Sequence, residues 1–190
     1  MGKLCLQPHL HKIYNGESLV AILTTSGRTA IAESIAAQPI HFAWGSGSPS
    51  WDTAHVAENV NAAGLVSELG RRIATSIQYV NPDTAGDIIV PVFNDSQGNS
   101  ISKQFSLSLT PTPNLYMRFN FDFTDASAAI IRELAIFVGT VTDPSLPIGQ
   151  KYFVAANLVS PGTLLALENL LESIQRSPNS RQSFEFVLTI

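Results

Sequence analysis

The stretch Leu115–Phe123, LYMRFNFDF, alternates apolar and polar residues without a break. Successive side chains of an extended strand leave the backbone on opposite sides, so Leu115, Met117, Phe119, Phe121 and Phe123 share one face, and Tyr116, Arg118, Asn120 and Asp122 the other. A helix would scatter the same apolar residues around its axis. The segment predicts a strand with one face in a core and the other wet or in an interface. Ile101–Leu109 repeats the pattern with Phe105, Leu107 and Leu109 inward, and the Thr110–Pro113 sequence TPTP predicts a stiff loop that joins the two strands as an antiparallel hairpin.

Further strands follow from shorter signals. Ile40–Trp44 is an apolar run released by Pro39, and from about Arg71 the residues Ile73, Thr75, Ile77 and Tyr79 alternate as a half-buried strand does. Asp87–Phe93 is β-branched, and Pro91, which cannot donate to a ladder, places it at a sheet edge. Ile130–Gly139, Tyr152–Val159 and Phe184–Ile190 complete the set, with turns at 81–86 and Asn94–Ser100. Two segments carry helical spacing. Gly27–Ala37 is preceded by the capping residues Thr24, Thr25 and Ser26, places Ile31 and Ile35 on one side, and ends at Gln38-Pro39. Thr163–Gln175 spaces Leu164, Leu167, Leu171 and Ile174 as a helix does, with Glu168 and Glu172 on the solvated side. The expected fold is mainly β (α+β), an antiparallel β-sandwich or open barrel of seven or eight strands with two helices. It forms a single domain over residues 18–190 behind a leader at 1–17.

Composition narrows the function. Lys and Arg number 11 against 15 Asp and Glu, giving a net charge of -4, and no basic cluster exists to meet a phosphate backbone, which argues against nucleic acid. The single Cys5 cannot close an internal disulfide, no cysteine and histidine group has zinc spacing, and His9 and His11 lack a third ligand nearby, so no metal or cofactor is expected. No apolar run approaches the roughly 20 residues that cross a bilayer, so no membrane partner is expected either. Charged residues make up only 14% of the chain, against about a quarter or more on the surface of a free monomer. Either neighbours bury much of the surface, or it is rich in Ser, Thr and Asn.

The segment His41–Asp52, HFAWGSGSPSWD, breaks from an apolar strand into glycine, serine and proline between two tryptophans. A serine nucleophile there would need a base and a G-x-S-x-G turn, and neither is present, since His9, His11, His41 and His55 all lie in the first third of the chain. A phosphate loop would need a following lysine. Asp122 and Asp125 read as a turn rather than a glycosidase pair. The chain is therefore not expected to be an enzyme. Trp44 and Trp51 suit either a sugar platform or a core residue and a loop anchor. The candidate interface comprises Trp44, Ser48, Trp51 and Asp52, together with Tyr116 and Arg118 on the wet face of LYMRFNFDF. On the Ile130–Gly139 strand Arg132 and Glu133 face opposite ways, so one of them points into the core and requires a partner such as Glu68 or Arg71. The expected result is a buried ion pair knitting two strands.

The ordered segments ILTTSGRTAIAESIAAQPI, FAWGSGSPSWD, LVSELGRR and IRELAIFVG together resemble the N-terminal, baseplate-attaching domain of tail-fibre and tail-collar proteins of contractile-tailed bacteriophages. The matching positions are Leu23, Thr24, Gly27, Ile31, Gly45, Gly47, Glu68, Arg71, Ile131, Arg132, Glu133, Ile136 and Phe137, within about residues 20–159. The resemblance implies a virion structural protein of the tail baseplate. Such a protein docks on the tail, is present in multiple copies and connects neighbouring baseplate proteins or tail fibres. The family domain is normally followed by a long shaft, whereas here the expected Leu-rich helix and one strand follow, and Thr140–Gln150 replaces a short glycine turn. Both departures imply a free-standing baseplate subunit. The alternative is a carbohydrate-binding module using Trp44, Trp51 and Tyr116.

Overall fold

A computed structural model describes residues 9–14, 17–92 and 101–190. The expected turn at Asn94–Ser100 and Cys5 lie outside these residues, as do the side chains of His9 and His11. The strands are β1 (His9–Tyr14), β2 (Glu17–Ile22), β3 (Ile40–Gly45), β4 (Glu68–Ile73), β5 (Ser76–Pro82), β6 (Ile88–Val92) and β7 (Ile101–Ser108). They continue as β8 (Asn114–Phe121), β9 (Ile130–Val138), β10 (Val141–Thr142), β11 (Tyr152–Phe153), β12 (Leu158–Ser160), β13 (Thr163–Gln175) and β14 (Gln182–Thr189). Among the described residues one α-helix occurs, α1 (Thr25–Ala36). The protein is mainly β, with two five-stranded sheets ordered β11-β4-β3-β9-β13 and β14-β8-β5-β7-β6, and two small two-stranded sheets, β1-β2 and β10-β12. The chain separates into two compact units, one with residues up to Ser34, Tyr79–Leu115 and Leu188–Ile190, the other with Ile35–Gln78 and Tyr116–Val187.

The helix α1 begins where its caps predict, with the Thr24 hydroxyl accepting the Gly27 N–H at 3.1 Å. Its stripe differs from expectation, because Ala32 is buried while Ile31 is exposed. The second expected helix is instead β13, paired antiparallel with β9. Two bulges explain the misleading period. Leu164, Leu167, Asn169 and Ile174 pair with Phe137, Ala135, Glu133 and Ile131, which are alternate residues of β9, so all four lie on one face of the sheet. Between Asn169 and Ile174 the four residues Leu170–Ser173 oppose the single Arg132. Extra residues therefore turned a strand period of two into spacings of three and more. Leu171, read as part of an apolar stripe, is in that bulge and 62% exposed. Helix propensity separates ordinary residues by only a few tenths of a kcal/mol each, less than the ladder and apolar cover that β9 gains from β13.

Several strand expectations are corrected in the same way. The run from Arg71 to Tyr79 is two strands, because the Ala74 N–H donates to the Ile40 carbonyl of β3 at 2.9 Å and the next N–H, of Thr75, donates to the Arg118 carbonyl of β8 at 2.8 Å. The chain changes sheets between these residues. Tyr152–Val159 is broken by a 3-10 turn at Ala155–Asn157 into β11 and β12. The strands β7 and β8 are not a hairpin, since β5 lies between them. The Thr112 hydroxyl of the joining loop donates to the Val80 carbonyl of β5 at 2.8 Å. On β7 Phe105 is buried as expected, but Leu107 and, past the strand end, Leu109 are exposed. Pro91 does lie on an edge strand, β6.

The centre of the second unit is β3, flanked by β4 and β9, and both of its faces are covered, which is why it reads as an apolar run, as β9 does apart from Arg132 and Glu133. On one face Trp44 stacks on Phe121 with ring centroids 3.6 Å apart, and Phe42 meets Phe119, Phe184 and Phe186 at 5.2, 4.8 and 5.1 Å. Leu115, Met117, Phe119 and Phe121 are fully buried, as their alternation predicts, whereas Phe123 lies past the strand end and is 39% exposed. On the other face Ala43, Ala135 and Phe137 pack under Leu65, Leu164 and Leu167. His41 shares this second layer, fully buried, with neither ring nitrogen hydrogen-bonded among the described residues.

Candidate functional site

Between β3 and β4 the chain makes an excursion, residues 46–67, whose only regular element is a 3-10 turn at Pro49–Asp52. Two consecutive residues of β9 hold it. Because β9 is covered on both faces, Arg132 and Glu133 are both buried although they point opposite ways. The Arg132 guanidinium grips Asp52 through both carboxylate oxygens, at 2.8 and 2.7 Å, and donates to the Ser46 carbonyl at 3.0 Å. This forked donation holds the Asp52 carboxyl below the usual carboxylate range, with the Ser173 hydroxyl of the β13 bulge assisting.

Glu133 closes the excursion at its two ends. One carboxylate oxygen accepts the N–H groups of Gly47 at 3.2 Å and Ser67 at 2.7 Å, and the other accepts the Val66 N–H at 2.8 Å. A buried carboxylate with three backbone donors needs no cationic partner. Glycine is required where the chain passes this group. A Cβ on Gly45 would lie 2.7 Å from Glu133 Cγ, and one on Gly47, whose φ is +52°, would lie 2.5 Å from the Trp51 ring. Trp51 is accordingly half-buried, seated over Gly47.

The far part of the excursion lies against β13. His55 Nε2 is 3.1 Å from the Asn169 carbonyl, the Asn169 N–H donates to Glu58 at 3.1 Å, and the Asn169 amide donates to the Val56 carbonyl at 2.9 Å. These contacts satisfy backbone groups of a bulged edge strand. Sequence reasoning did not find His55, Glu58 and Asn169 as partners, and the helix reading of 163–175 concealed them.

The expected ion pairs are rearranged. Arg71 pairs with Glu68 on its own strand at 2.7 Å and lies over the Phe137 ring, while Arg132 takes Asp52. Neither Arg132 nor Glu133 partners Glu68 or Arg71. Of the expected interface residues, Trp44 is a core residue, its indole N–H donating to the Tyr152 hydroxyl at 3.1 Å, and Tyr116 is buried. Ser48 and Trp51 are half-buried, Asp52 is partly exposed and Arg118 is exposed. Asp122 and Asp125 form the expected turn, where the Asp125 carboxylate accepts the Asp122 N–H at 2.7 Å and pairs with Arg72. Among the described residues no helix is long and apolar enough to cross a membrane, and no group of His, Cys, Asp and Glu is arranged to hold a metal.

No curated protein matches the chain. A family model described as "Baseplate wedge 3 tail fiber network component" matches residues 20–190, which include both large sheets and the whole excursion. The chain therefore belongs to the family of baseplate wedge 3 tail fiber network components and is a structural protein of the phage tail baseplate, not an enzyme.

Proposed function

We propose that the excursion between β3 and β4 is the surface by which this chain docks in the baseplate and connects neighbouring wedge proteins or tail fibres. The carrying observation is the clamp. Arg132 and Glu133 spend two buried charges on fixing the base of a segment whose outer part is exposed, with Val60 96% exposed and Val56 and Val66 also open. An unsupported loop would collapse these side chains. A loop held open before binding loses less entropy on association. Ser48, Trp51 and Asp52 form its root, and residues 18–190 act as one attachment domain that presents it.

The chain serves in multiple copies, and its partners are proteins rather than nucleic acid or membrane, in keeping with the net charge of -4. The carbohydrate-binding reading has no comparable support, because Trp44 and Tyr116, two of its three rings, are buried. The test is Val60→Asp supplied to a phage lacking this protein. The variant should melt as the parent does and enter particles poorly. Normal incorporation would move the docking surface elsewhere, with the exposed Arg118 face of β8 the next to test.

A further inference from the structure

The excursion and β13 together form a face with a distinct chemistry. Val56 and Val60 are exposed on the excursion and Leu171 on the bulge. Glu58, Glu168 and Glu172 lie among them in sequence, and neither residues 46–67 nor 163–175 contain a lysine or arginine. Arg132, which reaches this region from β9, is committed to Asp52.

Glu58 and Glu168 are close enough to repel. Glu58 accepts the N–H of Asn169, the residue after Glu168, and burial together with the Glu58 charge pushes the Glu168 carboxyl above its usual value. The two acids have no cationic partner among the described residues, and they are not arranged with other ligands as a metal cage. The Glu58 carboxylate, fixed on the Asn169 N–H, acts on the neighbouring Glu168 with no lysine or arginine paired to either among the described residues, and an incoming cation would relieve that repulsion. The bulge shows how contact is made. With four residues of β13 opposing one of β9, and with Asn169 already bonded to the excursion, the edge does not offer a regular ladder for strand addition. Side chains must carry the contact.

We propose that this face seats an apolar segment bearing lysine or arginine from a neighbouring baseplate protein, the cation meeting Glu58 and Glu168 and the apolar side chains covering Val56, Val60 and Leu171. The assignment rests on the docking role proposed above and adds the chemistry of the partner.

The experiment supplies Glu168→Gln, Glu172→Lys and Val60→Asp separately to a phage lacking this protein. It compares copies per particle before and after a high-salt wash, alongside the melting temperature of each purified chain. Removing the Glu168 charge relieves the repulsion, so Glu168→Gln should melt no lower than the parent yet be retained about tenfold less. Glu172→Lys should be retained less as well. If Val60→Asp is lost while both charge variants are retained like the parent, the excursion docks but its partner is not basic, and this inference falls alone. If all three are retained like the parent, the docking role falls with it. Should Glu168→Gln melt lower, Glu172→Lys decides, and its normal retention overturns the inference.

Discussion

Ser67 donates its backbone N–H to the buried carboxylate of Glu133 at 2.7 Å, and the same oxygen accepts the Gly47 N–H from the other end of the excursion. One side chain thereby closes a long loop at its neck. In Glu133→Gln the amide oxygen can keep these two donors, but the amide nitrogen then faces the Val66 N–H, which loses its acceptor. The expected cost is about 2 kcal/mol, the usual penalty for a buried donor left unpaired. Amide exchange should accelerate at Val66 ahead of the strands. An unchanged denaturation midpoint would mean that the carboxylate does not hold the loop.

Gly47 combines a φ of +52° with the Trp51 ring against its Cα. Gly47→Ala meets both backbone strain, about 1 kcal/mol, and a clash that Trp51 relieves only by leaving its seat. Tryptophan emission should shift to the red while the second tryptophan, the buried Trp44, remains a fixed reference. A spectrum like that of the parent would place Trp51 elsewhere.

Phe119 and Arg118 are neighbours on β8 with opposite surroundings, one fully buried and the other exposed. Phe119→Ala should destabilise by about 4 kcal/mol, as deletion of a core phenylalanine does, and Arg118→Ala by less than about 0.5 kcal/mol. Equal denaturation midpoints would contradict the face assignment.

His41 titrates against the fold. Burial, reinforced by the Arg71 charge, lowers its pKa from 6.5 to about 4. Between those values the unfolded chain binds a proton that the folded chain refuses, so stability falls as pH drops through 6.5 and the loss levels off below 4. By pH 5 this amounts to about 2 kcal/mol. His41→Leu should flatten the profile between neutral pH and pH 5, and an equally steep profile in that variant would assign the acid sensitivity to other groups.

How much of this was legible depends on the range of the signal. Phe119 and Phe121 alternate within an unbroken strand, so local period revealed their face of the core, and Thr24 announced α1 through a contact three residues away. Trp44 ends a short apolar run with no period, which left it open to the interface reading that its burial corrects. The ladder of β13 was illegible because its bulges oppose residues of β9 that only the folded pairing identifies. The same holds for the site. Arg132 and Glu133 stand out as charges on an apolar strand, but Asp52 and the N–H groups of Gly47, Val66 and Ser67 are distant in sequence and carry no mark of their roles. Similarly, nothing between Ile73 and Ser76 advertises the crossing from one sheet to the other, which rests on the acceptors of Ala74 and Thr75.

The bulge of β13 also bears on how this chain tolerates change in length. The ladder resumes at Ile174 opposite Ile131 whatever happens in the four residues opposite Arg132, since the pairings on either side close independently. A residue gained or lost between Leu170 and Ser173 would alter the size of the bulge without sliding either flank, whereas the same event in β3 or β9 would reverse every side chain beyond it. The contour of the β13 face can therefore change by insertion or deletion while the sheet beneath it keeps its register.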